Sequence, residues 1–265
     1  MYSKFKYTPT HYFYNKELNP HLEKGKEIYN HFESQARKSL KDFIYQNGQI
    51  DGSALKEHWF KIEKADVFLS HSHKDITKVA AFAGWLHDTF GLTAFIDSCS
   101  WGYCDDLLKE IDDQYCKNES GETYNYQLRN YTTSHVHMML SSALTQMIDN
   151  TECIIFFDTP NSIVLKDELN NVKKGDKKAT LSPWIYHELS MTSMVKTRLP
   201  RRRNVIIEHS SGYSYAADSR PDFQHDVSEY LRQLTLLTDD VLLEWKNNHN
   251  TAKYSLDTLY KIMKK

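Results

Sequence analysis

The sequence predicts a doubly wound α/β fold, a parallel sheet with helices on both faces. Two observations carry that prediction. From residue 65 to residue 207, short apolar runs alternate with amphipathic stretches, and the runs are continuous rather than alternating, as in strands buried on both faces. The punctuation agrees. Gly91 after Phe90 reads as a helix C-cap, and Ser182-Pro183 as an N-cap followed by proline at the first helical position.

In chain order, residues 67–69 (Val-Phe-Leu) read as a strand, 75–90 as a helix, 92–96 as a strand and 135–148 as a helix. Residues 153–157 then read as a strand, 183–196 as a helix and 205–207 as a strand. Ahead of this core, residues 1–63 read as helical or irregular, because Ile28, Tyr29, Phe32, Leu40, Phe43 and Ile44 recur at helical spacing after Pro20. Turn chemistry at Asn47-Gly48 and Asp51-Gly52 precedes a short helix over 54–62. Behind the core, residues 222–265, with Leu231, Leu234, Leu237, Val241, Leu242 and Trp245, read as two helices packing back on the core or on a partner. The expected division is a helical N-terminal extension over 1–63, an α/β domain over 64–210 with an insertion around 98–133, and a helical C-terminal extension over 211–265. A second long polar loop covers 161–180.

Composition excludes several classes of function. With 265 residues, 40% of them hydrophobic, the chain can bury a real core, which rules out wholesale disorder. Lys and Arg number 33 against 35 Asp and Glu, a formal charge of −2, so no global field gathers nucleic acid or an anionic membrane, although residues 196–203 are locally basic. The longest apolar stretch, residues 79–86, contains Gly84 and falls far short of the roughly 18 residues that span a bilayer. The first residues carry no apolar signal core, so the cytoplasm is the expected location. Four cysteines, at 99, 104, 116 and 153, fit reduced thiols rather than a disulfide framework.

In a parallel α/β sheet the ligand site lies beyond the carboxyl ends of the strands. The segments after Leu69, Ile96 and Phe157 are therefore the first places to look. Residues 66–75 read DVFLSHSHKD, and hydroxyls and imidazoles leaving a buried strand can present donors to a ligand's phosphates or hydroxyls. Simple helix capping by Ser72 or Asp75 would account for the same residues. Neither GxGxxG nor GxxxxGKS is present, so neither phosphate-binding fingerprint is supported.

Trp184 and Glu188, four apart on a predicted helix, share a face. The indole can stack and exclude water while the carboxylate stabilises a developing cation or orients ribose hydroxyls. A partly buried tryptophan beside an ordinary surface glutamate would leave the same spacing. Cys99, Cys104 and Cys116 with His135 and His137 lack the paired ligand spacing of a zinc site, and two histidines two apart point to different helix faces, so no metal is expected. No HExxH or GxSxG motif is present.

Taken together, residues 66–75, Phe95-Ile96-Asp97 with the loop after it, and residues 182–189 (SPWIYHEL) resemble the Toll/interleukin-1 receptor (TIR) domain. The resemblance covers residues 65–209, or 145 of 265. It implies a flavodoxin-like fold and, in the enzymatic members of the family, cleavage of the nicotinamide–ribose bond of NAD+, which is a substrate rather than a cofactor. On that resemblance Glu188 carries over as the catalytic residue and Trp184 as its neighbour in the pocket. His71 and Ser72 at the first-strand exit, with Asp97, Trp101, Gly102 and Tyr103 after the second strand, would line the nucleotide pocket.

The departures are informative. Residues 98–104 (SCSWGYC) lack the Arg-Asp-x-x-Pro-Gly pattern of receptor TIR domains, and the Phe-Trp of their last motif is not evident, which weighs against adaptor-type signalling. The long 105–133 stretch and the helical ends are more similar to stand-alone bacterial TIR proteins, including those of Thoeris-like antiphage systems, in which a TIR enzyme makes a nucleotide signal from NAD+ for a separate effector. The resemblance thus implies a homo-oligomer, with the segment around Trp101 and Tyr103 meeting a neighbouring subunit, and a nucleotide-sensing effector as partner. The other readings are a non-catalytic TIR interaction module and a different flavodoxin-like nucleotide enzyme that uses Glu188 in another way.

Overall fold

A computed structural model of the chain describes residues 1–33, 39–62, 64–165, 177–199, 223–249 and 254–264. Its strands are β1 (Ser3–Tyr7), β2 (Val67–Ser70), β3 (Ala94–Ile96), β4 (Cys153–Phe157), β5 (Val164–Leu165), β6 (Lys178–Thr180), β7 (His225–Asp226) and β8 (Thr235–Leu237). The principal helices are α1 (Leu22–Glu33), α2 (Gly52–Trp59), α3 (Ile76–Phe90), α4 (Ser98–Tyr115), α5 (Tyr126–Asn150), α6 (Pro183–Met194), α7 (Ser228–Arg232), α8 (Asp239–Asn248) and α9 (Ser255–Ile262). Five strands form a parallel sheet in the order β3-β2-β4-β1-β8, and β5-β6-β7 make a small antiparallel sheet beside it.

This is an α/β architecture with helices on both faces of a parallel sheet, consistent with a flavodoxin-like fold. One face, with Phe5, Tyr7, Val67, Leu69, Ile96, Ile155 and Phe157, packs on α3, α8 and α9. The other, with Phe68, Phe95 and Ile154, packs on α2, α4 and α5, while Phe156 meets α6 and α7. Double-sided burial is why β2, β3 and β4 are buried throughout and, apart from Ser70 at the end of β2, apolar. Strands β3-β2-β4 follow the 2-1-3 start of the flavodoxin-like order, and the fourth and fifth positions are filled by the chain's first strand and by β8. The strand expected over 205–207 lies outside the described residues.

The reading of residues 1–63 as helical or irregular is corrected at its start, because β1 pairs in parallel with both β4 and β8. Its sequence alternates: Phe5 and Tyr7 are buried, while the Lys4 and Lys6 amines reach the carbonyls of Thr192 on α6 and Leu231 on α7. Cations at the C-terminal ends of helices also meet the negative ends of their dipoles. Asp239 at the start of α8 accepts from the Tyr7 and Thr10 hydroxyls at 2.9 and 2.6 Å, tying the exit of β1 to the C-terminal helices.

The stretch around 98–133, expected as an insertion in a loop, is also corrected. It is α4, a turn closed by the Lys117–Tyr124 bridge, and the first turns of α5. Cys104, Leu107 and Ile111 recur at helical spacing and are buried, and the Asn125 side chain caps α5 by accepting from the Leu128 amide at 3.1 Å. The C-terminal segment holds the two expected helices, and it also contributes α7 and the sheet strand β8. The Trp245 ring stacks on Phe90 at 3.8 Å and meets Trp85 edge-on at 6.0 Å.

Every residue from Val79 to Leu86 is buried, because α3 lies between the sheet and α1. The two helices approach backbone to backbone. A Cβ on Gly84 would sit 2.1 Å from the His21 carbonyl oxygen, and one on Gly25 would sit 1.8 Å from that of Ala80. Gly84→Ala is therefore expected to lower the unfolding free energy by roughly 3 kcal/mol, the upper end of overpacking costs. Urea denaturation checks it, and an unchanged midpoint would mean that α1 and α3 stand further apart.

Candidate functional site

The site is built by alternation at two strand ends. In β2 the side chains of Val67 and Leu69 face α3, so Phe68 and Ser70 face the other way. In β3 the same alternation sends Phe95, and next Asp97, to that second face. Leu69 pairs with Ile96, so Ser70 and Asp97 leave their strands side by side. Helix α6 lies over them. Ser182 caps it by accepting from the Ile185 amide at 3.3 Å, Pro183 opens it, and Ile185, Glu188, Leu189 and Thr192 form its buried stripe. Glu188 thus points inward, and the reading of it as an ordinary surface glutamate is overturned.

Four side chains converge. Glu188 is 1% exposed, Asp97 and His71 are fully buried, and Ser70 is buried beside them. The Ser70 hydroxyl donates to Glu188 Oε2 at 2.6 Å. The His71 amide donates to Asp97 Oδ2 at 3.2 Å, and His71 Nδ1 lies 2.6 Å from Asp97 Oδ1. The Asp97 and Glu188 carboxyls are neighbours, and each perturbs the ionisation of the other.

Burial governs the charges here. It pushes Asp97 up to about 8. It also holds Glu188 well above the usual carboxylate range, with the neighbouring Asp97 carboxyl adding to the effect and the Ser70 hydroxyl opposing it. Burial depresses His71 to about 4 despite the nearby Glu188, which favours the neutral ring, so the 2.6 Å approach of its Nδ1 to Asp97 is not read as an ion pair.

Ser72 is half-buried at the head of a single turn, His73–Asp75, and neither its side chain nor that of Asp75 caps the helix it precedes. Asp75 instead accepts from Thr159, Asn161 and Lys78, linking the exit of β2 to that of β4. Trp184 is half-buried and turned toward α5, where its ring meets His137 at 5.4 Å. Trp101, Gly102 and Tyr103 lie in the first turns of α4 rather than in a loop, and their side chains are outside the described set.

Ser70 is the site residue that sequence reasoning missed. Its signal was available: in a strand with period two, the residue after Leu69 must face the same way as Phe68, toward the helix that carries Glu188. Among the described residues, no three His, Cys, Asp or Glu side chains are grouped so as to hold a metal ion. The cysteines are buried and free, and burial pushes the Cys104 thiol up to about 12. Among those residues, too, no helix is long and apolar enough to cross a membrane.

The cluster lies at the carboxyl ends of β2 and β3. From β2 the chain runs to β3 on one side and then to β4 on the other, so this is a point where strand order reverses, where open α/β sheets bind ligands. No protein-family model, curated protein or solved structure matches the chain.

The acids have a consequence for stability. A carboxyl whose folded-state pKa is raised keeps a proton that the unfolded chain has lost, so stability falls as pH rises toward the folded value. His71, with its lowered value, acts below its ordinary 6.5 and is silent above it. From pH 6.5 to 8, wild-type stability is expected to fall by roughly 2 kcal/mol for each carboxyl that keeps its proton. Asp97→Asn and Glu188→Gln should each flatten that slope in denaturant titrations. A wild-type slope in Asp97→Asn would show that Asp97 is ionised in the fold.

Proposed function

We propose that this chain is a TIR-type NAD+ glycohydrolase or cyclase, cleaving the nicotinamide–ribose bond to give nicotinamide and an ADP-ribose-type product or signal. The observation that carries the reading is the delivery of the Glu188 carboxyl from α6 to the carboxyl ends of β2 and β3, at the reversal of strand order. The resemblance of residues 66–75 and 182–189 to TIR motifs supports it.

The chemistry requires no general acid on the leaving group. When the bond from ribose C1′ to the pyridinium nitrogen breaks, the electron pair leaves with nicotinamide, which becomes neutral, and positive charge passes to an oxocarbenium-like ribose. A carboxylate fixed beside that charge in water-poor surroundings stabilises it. Water then bonds to C1′ and releases a proton, giving ADP-ribose. A nucleophile within the nucleotide gives a cyclic form, and another molecule gives a conjugate. Such a product suits a diffusible signal for a separate nucleotide-sensing effector in bacterial antiviral defence.

The burial of Glu188 favours a second reading, since a site that stays sealed does no chemistry. On that reading the chain is a non-catalytic TIR interaction module. On the first, assembly into a homo-oligomer through the start of α4 opens the site.

The two readings part on one experiment. Purified protein at high concentration is incubated with NAD+ beside Glu188→Gln, and nicotinamide and nucleotide products are resolved by chromatography and mass. An enzyme is expected to release nicotinamide, with a loss of about 100-fold or more in the variant and unchanged circular dichroism and assembly. Equal release by both proteins would remove Glu188 from catalysis. Silence in both, in an assembled state, would favour the interaction module.

A further inference from the structure

We propose that the outward face of α5 at Leu128, Tyr131 and His135, with Tyr126 at its start, is an interface for a second copy of this chain, the two α5 helices crossing antiparallel about a twofold axis near Tyr131. The inference does not depend on the reading of Glu188. It also concerns a different surface from the start of α4, because the turn into α5 follows the other end of that helix, roughly 20 Å along its axis.

The inward side of α5 is fully occupied. Val136, Leu140, Ala143, Leu144 and Met147 are buried in the core shared with α2 and α4. Upstream, the same side continues as Arg129 and Thr132, which both donate to the buried Asp112 of α4, at 2.8 and 2.9 Å. The outward side is another matter. Leu128, Tyr131 and His135 follow one another at spacings of three and four, hence on one face, and the Tyr131 ring meets His135 edge-on at 4.5 Å. Tyr126 is 77% exposed, Tyr131 66% and Leu128 46%.

A helix face turned to water ordinarily carries charge. Of this chain 26% is charged, yet from Tyr126 to Ile148 the only Asp, Glu, Lys or Arg is Arg129, which is engaged with Asp112. Tyrosines standing out from an uncharged face have the composition of an interface centre rather than of a solvated surface. The grip on Asp112 and the Asn125 cap fix α5 before any partner arrives, so little ordering remains to oppose association.

Charge and area identify the occupant. A nucleic acid or a strongly charged peptide would find no counter-charge on this face. A twofold copy sets each group against its own kind, which an uncharged stripe accepts and a charged one would not. Counting about 200 Å² for a whole tyrosine, Tyr126, Leu128 and Tyr131 expose roughly 400 Å², and the exposed Gln127 and His135 bring the face to about 500 Å². Two copies therefore bury about 1,000 Å², the lower bound for a specific interface, which suits a reversible dimer.

Sedimentation velocity of the full chain over a wide dilution series is expected to show a monomer–dimer equilibrium. Tyr131→Glu and Tyr131→Lys, each placing like charges together at the axis, are expected to weaken it by roughly 30-fold or more, with circular dichroism and thermal unfolding unchanged. Mixing the two variants is expected to restore the dimer, because the twofold brings position 131 of one copy to position 131 of the other. The four native cysteines are buried, so a cysteine placed on this face is the accessible thiol. Mild oxidation is expected to link Tyr131→Cys into covalent dimers and to leave Glu23→Cys, on the exposed side of α1, unlinked. A wild-type chain that stays monomeric at every concentration overturns the proposal, as does a dimer that both charged variants leave intact. A mixture that associates no better than either variant alone, or equal linking at positions 131 and 23, removes the twofold contact at Tyr131.

Discussion

The pairing of β2 between β3 and β4 is the constraint on which the site depends. Parallel strands in register allow one choice of facing for each side chain, and a slip of one residue would turn Ser70 and the strand's apolar residues to the opposite faces. The apolar residues of β2 hold that register because each fits a different core: Val67 and Leu69 the one under α3, Phe68 the one under α4 and α5. The polar cluster is thus positioned by hydrophobic packing one and two residues upstream. Helix α6 is fixed in the same way, since Ile185 and Leu189 on either side of Glu188 sit in the satellite core with Phe156.

The same packing makes the cluster expensive. Two acids and a neutral imidazole are withdrawn from water among apolar residues, and hydrogen bonds from the Ser70 hydroxyl and the His71 amide offset part of that desolvation. Groups chosen for stability alone would not be acids. A fold that keeps two raised carboxyls together at the ends of its strands has the character of a functional centre, where perturbed groups gather. The large aromatic core around Trp85, Phe90 and Trp245 supplies stability elsewhere in the molecule.

Much of the architecture was legible in the sequence where the physics is local. Strand β4 is a run of five apolar residues, and α6 announces its start with Ser182-Pro183. Gly91 closes α3 in the left-handed conformation, φ 67°, that glycine adopts without strain. What was not legible depends on distant partners. Lys4 and Lys6 make β1 look polar, and their reason appears only when α6 and α7 bring carbonyls to them. The 98–115 segment reads as irregular because its first turns are Ser, Cys and Gly, and the core that fixes it as a helix comes from α5 and the sheet. Glu188 was singled out through Trp184 and the family resemblance, whereas its actual companions, Ser70 and Asp97, come from the two strands beneath it.

The place of β1 in the middle of the sheet governs how the molecule can be made. Its neighbours begin about 150 and 230 residues further along the chain, at Cys153 and Thr235. At a synthesis rate of roughly 5–20 residues per second, β1 waits on the order of ten seconds or more for β4, and longer for β8. During that interval it is a strand with two unpaired edges, the form most prone to pair with the wrong chain. Lys4 and Lys6 are charged on the face that will later receive α6 and α7, and charge on an exposed strand discourages such pairing. The residues that anchor the finished strand therefore also guard the nascent one, and among the described strands of the sheet β8 is the last to be synthesised.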